Sequence, residues 1–269
     1  MKGILVSELS YTYSGNKQAL KNVSFQLDRG KKLAILGANG SGKSTLIQHF
    51  NGLILPQKGK VTMGNHGVEQ KNLKILRQKV GIIFDHPDDQ IIASKVSEDI
   101  AFGPRNLRCS EEEVFRRVKE ALSQMGIEEL QDSSPYELSL GQKKKVAIAG
   151  VLAMKPEILV LDEPFTGLDP SSREGLKKAL EDLHHQGHTL VITTHNVDMA
   201  YEWADELLIL KEGEVLYTGV VEALEDKELV KKGNLESPGV VRLLENTGIT
   251  GKNIEEGNRK IKEALGIEK

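Results

Sequence analysis

The apolar run Lys31-Lys32-Leu33-Ala34-Ile35-Leu36 passes directly into Gly37-Ala38-Asn39-Gly40-Ser41-Gly42-Lys43-Ser44, and Thr45-Leu46-Ile47 opens a helical pattern. The first segment reads as a buried strand. Strand, glycine-rich loop and helix form the context in which a GxxxxGK[ST] pattern carries chemistry. Glycine lets successive backbone N–H groups turn inward as a nest around phosphates, where a Cβ would clash. The helix that follows points its positive end at the same anion. Lys43 is placed to reach β- and γ-phosphates, and the Ser44 hydroxyl to ligate magnesium. The segment therefore predicts a nucleotide triphosphatase site in an α/β protein.

The second half of that site is Ile158-Leu159-Val160-Leu161-Asp162-Glu163, four apolar residues followed by two carboxylates. An uninterrupted apolar run fits a central strand of a parallel sheet, covered on both faces. The carboxylates fall at its C-terminal end, where open α/β sheets bind their ligands. Asp162 is expected to hold magnesium, directly or through water. Glu163 is expected to orient or deprotonate the attacking water. Pro164 ends the strand and exposes the loop that follows.

Many protein families use such a loop, so it does not choose among functions. Leu138-Ser139-Leu140-Gly141-Gln142, followed by Lys143-Lys144-Lys145-Val146-Ala147-Ile148-Ala149, is more selective. Ser139 is an N-cap candidate for a helix with an apolar face. That helix start could offer a hydroxyl and backbone amides to a second phosphate. Taken with its position shortly before the Asp-Glu strand, LSLGQ resembles the LSGGQ signature of ABC transporter ATP-binding subunits. The resemblance covers most of the chain and implies ATP and Mg2+ as ligands. It implies that Ser139, Leu140, Gly141 and Gln142 act on the ATP of a partner subunit, so that hydrolysis needs a dimer. Thr166-Gly167-Leu168-Asp169 is similar to the loop that crosses the dimer interface. His195, after Leu190-Val191-Ile192-Thr193-Thr194, looks like the histidine that contacts the γ-phosphate. Tyr13 matches the aromatic residue that stacks on adenine.

Two positions depart from the family pattern. Leu140 replaces the second glycine position of the signature, which lowers local flexibility while leaving Ser139 and Gly141. After Val80-Gly81-Ile82-Ile83-Phe84 the family has a glutamine that touches magnesium and reports to the membrane partner. Here Asp85 stands in Phe84-Asp85-His86-Pro87-Asp88-Asp89-Gln90. A carboxylate is a harder magnesium ligand than an amide and repels a triphosphate when the metal is absent. Asp85 is thus expected to serve as a metal ligand, with Gln90, five residues on, as the alternative occupant of that role.

The 269 residues fit one large domain with an appendage. A net charge of −3 offers no basic face, so nucleic acid is not expected as a partner. The run Lys143-Lys144-Lys145 reads as a solvated face or a contact for anionic groups. A single cysteine, Cys109, cannot form an internal disulfide, which suits a reducing compartment. No signal-peptide pattern opens the chain. The longest apolar run, residues 146–154, is far short of the roughly 20 needed to cross a bilayer. A transport role would therefore be exerted from the cytoplasmic face, through membrane partners.

The expected layout is a P-loop fold with an N-terminal antiparallel β subdomain, an inserted helical subdomain and a small C-terminal extension. Residues 2–30 read as antiparallel β around Gly15-Asn16. A short β segment at 60–63, a helix near 71–79 and a strand precede a mainly helical stretch over 91–155. Within it, residues 111–125 carry apolar positions 114, 115, 118, 121, 122 and 125 at helical period. Strand and helix alternate over 156–195, and 206–217 reads as a hairpin turning at Glu212-Gly213. These assignments place the nucleotide domain at 1–218, its helical subdomain at about 88–155, and an extension at 219–269. The extension has two weakly amphipathic stretches, at 240–244 and around Ile254, Ile261, Ala264 and Leu265, each interrupted by glycine. It reads either as a frayed appendage or as a packing or dimer-contact element.

Three segments narrow the resemblance: Pro87-Asp88-Asp89-Gln90, Ser97-Glu98-Asp99-Ile100-Ala101-Phe102-Gly103-Pro104 and Ser237-Pro238-Gly239-Val240-Val241-Arg242-Leu243. They look like the ATPases of energy-coupling-factor importers. The resemblance implies a homodimer, or a heterodimer with a sister ATPase, on a transmembrane scaffold with a separate membrane substrate-binding subunit. Asp198-Met199-Ala200-Tyr201-Glu202-Trp203-Ala204-Asp205 is similar to the branch that imports cobalt or nickel. A vitamin importer shares every motif, and a soluble ATPase of iron–sulfur assembly is a further reading. His184-His185 and His188 suggest a metal cluster, but they stand where a helix ends, a place that favours histidine for the helix dipole alone.

Overall fold

The computed structural model describes residues 2–267. Along the chain, β1 (Lys2–Thr12) and β2 (Gln18–Asp28) form a hairpin, and β3 (Lys32–Leu36) leads through the glycine loop into α1 (Lys43–Gln48). β4 (Lys58–Met63) and the two-residue β5 (His66–Gly67) precede α2 (Leu73–Lys79) and β6 (Val80–Ile83). The helices α3 (Val96–Asn106), α4 (Glu111–Met125) and α5 (Leu140–Leu152) follow. Next come β7 (Ile158–Asp162), α6 (Pro170–His185), β8 (Thr189–Thr194), α7 (Val197–Trp203), β9 (Glu206–Lys211) and β10 (Glu214–Val220). The tail holds α8 (Lys227–Lys232), α9 (Gly239–Leu243) and α10 (Ile254–Ala264).

These strands form two sheets. An antiparallel sheet has the order β2-β1-β4-β5, and its hairpin turns at Gly15 and Asn16, both at positive φ. The second sheet has the order β10-β9-β3-β8-β7-β6, parallel from β9 to β6 with β10 antiparallel at one edge. Its apolar runs are explained by two cores, one on each face. In β3, Leu33 and Ile35 join the core shared with the antiparallel sheet and α1, whereas Ala34 and Leu36 face the helical side. In β7 the same split separates Ile158 and Val160 from Leu159 and Leu161. Alternation places consecutive residues on opposite faces, and both faces are covered, so every position must be apolar. The α/β fold class, the hairpins and the helical insertion expected from sequence are all present.

Local signals set the helix boundaries. In α4, the Ser110 hydroxyl accepts from Glu113 N at 3.3 Å, and Gly126 ends the helix with φ 59°. Val114, Val118, Ala121, Leu122 and Met125 are buried, as their spacing demands. Phe115 is not, being 72% exposed although its spacing suggests a core position. It lies one residue past Val114 and so falls beyond the buried stripe.

The extension is packed against the body. Val221, Leu224, Val230, Val240 and Leu244 are buried in the core of the helical face. Gly239 N donates to Asp198 Oδ1 at 2.6 Å, and Asn253 Nδ2 to Glu202 Oε1 at 2.9 Å, tying α9 and α10 to α7. Of the two readings left open by the sequence, a frayed appendage is therefore incorrect. A Leu244→Ala substitution is expected to lower the unfolding free energy by about 2–4 kcal/mol. Denaturant unfolding checks this, and a change below about 0.5 kcal/mol, as on an unpacked surface, would contradict it.

Candidate nucleotide-binding and hydrolysis site

Parallel register delivers the chemistry. In the sheet, β3, β8, β7 and β6 are consecutive neighbours, and residues following their C-terminal ends are the glycine loop, His195, Glu163 and Asp85 respectively. Four segments widely separated in sequence thus meet at one sheet edge. Three of them border a cleft of about 460 Å³ whose wall includes Tyr13, Asn39, Gly40, Gly42, Lys43, Ser44, Thr45, Asp85, Asp162 and Glu163, and His195 stands beside it against the Glu163 carboxylate.

The glycine loop has the backbone its sequence requires. Gly42 stands at φ 107°, and a Cβ there would come within 2.7 Å of Ala19 O. No other residue type fits that contact. Lys43 is buried, and its ammonium donates to Gly37 O at 2.7 Å and Ala38 O at 3.4 Å, with Glu163 Oε1 at 3.8 Å. Ser41 is buried at the base of the loop. The tip of the β9–β10 hairpin braces the loop, because Gly213 N donates to Ser41 O at 3.0 Å and Gly213 O accepts from Lys21 N at 2.8 Å.

Tyr13, just past β1, lies beside the loop, with 3.1 Å between its hydroxyl and Thr45 Oγ1. Its ring meets Tyr11 edge-on at 5.0 Å, and Tyr11 meets the buried His49 ring at 5.2 Å. Burial holds the His49 imidazole below its ordinary pKa, so it adds no charge behind the loop.

The carboxylates are individually held. The Thr193 hydroxyl donates to Asp162 Oδ1 and accepts from Glu163 N at 3.0 Å. Glu163 has φ 44°, a left-handed backbone that costs a non-glycine residue roughly 1–2 kcal/mol. Its carboxylate receives Thr166 Oγ1 at 3.2 Å and lies 3.1 Å from His195 Nδ1. The Ser44 hydroxyl with the Asp162 and Asp85 carboxylates forms a set of hard oxygen donors, which fits magnesium. The same wall carries Lys17, Lys21 and Lys43 beside these carboxylates, so a cation bound among the oxygens would ease the entry of a triphosphate. Gln90 does not share this wall. Its Oε1 accepts from Phe84 N at 3.1 Å and its amide donates to Ala147 O at 3.4 Å.

Ser139, Leu140, Gly141, Gln142 and Asp169 do not border this cleft. Ser139 caps α5, accepting from Gln142 N at 3.3 Å, while Gln142 Oε1 accepts from Ser139 N at 2.9 Å. Asp169 caps α6, taking Ser172 N at 3.0 Å and Ser172 Oγ at 2.5 Å, and these bonds hold its carboxyl below the usual range. The histidine pattern is engaged structurally, with His184 Nε2 2.9 Å from Gly30 O.

Of the two readings of the lysine run, the contact for anionic groups agrees with the structure and the solvated face does not: Lys143 is mostly covered and paired with Asp88 at 2.7 Å, and Lys144 is only 3% exposed, with Asp85 at 3.7 Å. Lys144 lies on the side of α5 turned toward the 163–166 loop. Burial pulls its pKa down, and Asp85 and then Glu163 pull it back up. Sequence reading also passed over Thr193 as a site residue, and it read Glu212-Gly213 as a hairpin turn without its contact to the glycine loop. The signal for Thr193 was a polar residue inside an otherwise buried strand; a lysine inside a lysine run gave none.

No helix of the described residues is long and apolar enough to cross a membrane. The ABC transporter family pattern matches residues 20–166. The energy-coupling factor transporter ATP-binding protein EcfA of Carboxydothermus hydrogenoformans is 42% identical over 241 residues, 90% of this chain and 89% of its own length. EcfA2 of Methanospirillum hungatei is 45% identical over 243 residues; the match spans 89% of this chain but only 61% of that longer protein. Among solved structures, cbiO1 of Clostridium perfringens, part of the ABC transporter complex cbiONQ, superposes with a TM-score of 0.78 at 41% identity, covering 90% of this chain and 98% of that one. The glycine loop, the paired carboxylates and these likenesses agree: the chain belongs to the ABC transporter ATP-binding family, among the ATPases of the energy-coupling factor type.

Proposed function

We propose that this chain binds and hydrolyses ATP as the motor of an energy-coupling factor importer for cobalt or nickel ions. The observation that carries the motor reading is the convergence of Lys43, Ser44, Asp162 and Glu163 on one cleft, with His195 against the Glu163 carboxylate. The likeness to a subunit of the cbiONQ complex supports the choice of metal cargo.

In this reading the glycine-loop amides and Lys43 hold the phosphates, and Tyr13 offers its ring to adenine. Ser44 and Asp162, with Asp85 as a further ligand, hold magnesium, which neutralises phosphate charge when bound. Glu163 orients or deprotonates the attacking water, and the His195 imidazole, 3.1 Å from that carboxylate, contacts the γ-phosphate. Ser139 and Gly141 begin a second helix, remote from the cleft of their own chain, and serve the ATP of a partner ATPase. Asp169 lies in the loop that crosses between the two. ATP binding closes this dimer and hydrolysis reopens it, moving the membrane subunits.

The membrane scaffold has a candidate seat. A groove of about 910 Å³ runs between α2 and the helical subdomain, with Leu73, Ile92, Phe102, Leu107 and Met154 in its wall. Ile92 and Phe102 are more than half exposed. Apolar surface of that kind marks a contact site. The chain then works at the cytoplasmic face of the cell membrane. The nucleotide domain, residues 1–218, supplies the motor, and the packed extension, with exposed Ile254, Leu265 and Ile267, offers a dimer contact.

Tagging the chain and extracting it from its own membranes in mild detergent tests the assignment. A scaffold together with a metal-binding membrane subunit is the expected catch. A vitamin-binding subunit would change the cargo, and recovery with soluble partners alone would contradict import. Two variants test the chemistry. Glu163→Gln is expected to trap an ATP-bound dimer on gel filtration; a monomer with ATP present would contradict the closing mechanism. In Asp85→Gln, the ratio of ATP affinities with and without magnesium is expected to fall about tenfold or more, in line with losing one close charge. Equal magnesium dependence in both chains would remove Asp85 from the metal site.

A further inference from the structure

We propose that Lys144 is a positioning residue, an internal ammonium by which the signature helix fixes the Glu163 carboxylate of its own chain. The inference rests on the hydrolytic role of Glu163 given above and adds a residue to it. Lys144 Nζ donates to Glu163 O at 3.0 Å and to Thr166 O at 3.0 Å, and Asp85 Oδ1 lies 3.7 Å away. An ammonium has three N–H donors and no acceptor. The two carbonyls take two of those donors, and the Asp85 carboxylate, beyond hydrogen-bond distance, supplies the counter-charge.

The two carbonyls bracket the turn that carries Glu163. Its backbone sits at φ 44°, where an L-residue remains only if its surroundings hold it there. The holds come from both sides: Thr193 Oγ1 takes the Glu163 N–H, and Lys144 takes the Glu163 C=O. The Thr166 hydroxyl bonded to the Glu163 carboxylate belongs to the same residue whose carbonyl Lys144 binds. Removing the ammonium therefore loosens the peptide, the turn and the carboxylate's hydrogen-bond partner together.

The helix carrying Lys144 is docked on this loop at other points. The Leu140 side chain comes within 2.9 Å of the position a Cβ on Gly167 would take, and Gly141 packs closely on Ser172. Leu140, the departure from the signature pattern, thus packs against the loop that follows Glu163. The residues that serve a partner's ATP and the carboxylate that serves the chain's own cleft are joined by one short strut. A shift of α5 when the partner closes would be felt at Glu163 through Lys144. The Asp85 carboxylate, in place of an amide, gives this lysine its counter-charge at the cleft wall.

Steady-state ATP hydrolysis and nucleotide binding by the full chain, in native, Lys144→Met and Lys144→Arg forms, test this. Methionine fills the same space and removes the ammonium, leaving the Glu163 and Thr166 carbonyls without that donor. Misplacing a catalytic group by about 1 Å can cost on the order of 100-fold in rate. Lys144→Met is therefore expected to lower kcat about 10- to 100-fold with KM for ATP within about threefold of native. Lys144→Arg, whose planar guanidinium keeps donors and charge but not their directions, is expected to give an intermediate kcat. A native kcat in Lys144→Met, or a loss shared equally by kcat and ATP affinity, overturns the proposal. Should Lys144→Met not fold, native kcat in Lys144→Arg overturns it by itself. A native chain without ATP hydrolysis would contradict the proposed function instead, so the two failures are distinguishable.

Discussion

Everything in this molecule depends on the parallel register of β3, β8, β7 and β6. Because these strands are neighbours pointing the same way, their C-terminal ends coincide at one edge. The glycine loop, Asp85, Asp162 and Glu163 reach the same cleft for that reason, with His195 beside Glu163, and not through any local sequence relation. The register is enforced by burial on both faces. A one-residue slip would exchange the residues facing the two cores along a whole strand, and the two cores are built from different neighbours. Stability and site geometry are thus the same constraint seen from two sides.

Placed on that edge, acidic and basic groups share one wall. Asp85, Asp162 and Glu163 stand there with Lys17, Lys21 and Lys43, and in the proposed function magnesium offsets the carboxylates. Each carboxylate is restrained by a different neighbour: Asp162 by Thr193, Glu163 by Thr166 and His195, and Asp85 by Lys144. Preorganisation of this kind keeps hydrogen-bonding groups from having to reorganise during reaction. Glu163 is one of several non-glycine residues with a left-handed backbone, and the one among these carboxylates that has it.

Much of this was legible in the sequence because the informative residues carry their own mechanism. Gly42 has no substitute at φ 107°, Ser139 reads as a helix N-cap, and the apolar runs at 31–36 and 158–161 fit strands covered on both faces. Composition at 219–269 could not decide between a packed and a frayed tail, since burial of Val240 and Leu244 depends on which surface they meet. Phe115 follows the helical rhythm yet stays in solvent, because periodicity fixes a face but not the width of its partner. Lys144 was hidden by Lys143 and Lys145. A charged residue is normally solvated, and only the nearby carbonyls of Glu163 and Thr166 explain why this one is not.

In the proposed function one copy of the chain holds a cleft but not a whole active site, and its signature residues serve the ATP of a partner ATPase, either a second copy or a sister chain. The most direct measurement is the specific ATPase activity of the purified chain across a wide range of protein concentration. The account predicts that activity per subunit rises with concentration and then saturates as dimers form. Activity per subunit that stays constant down to concentrations where the chain is monomeric would contradict it.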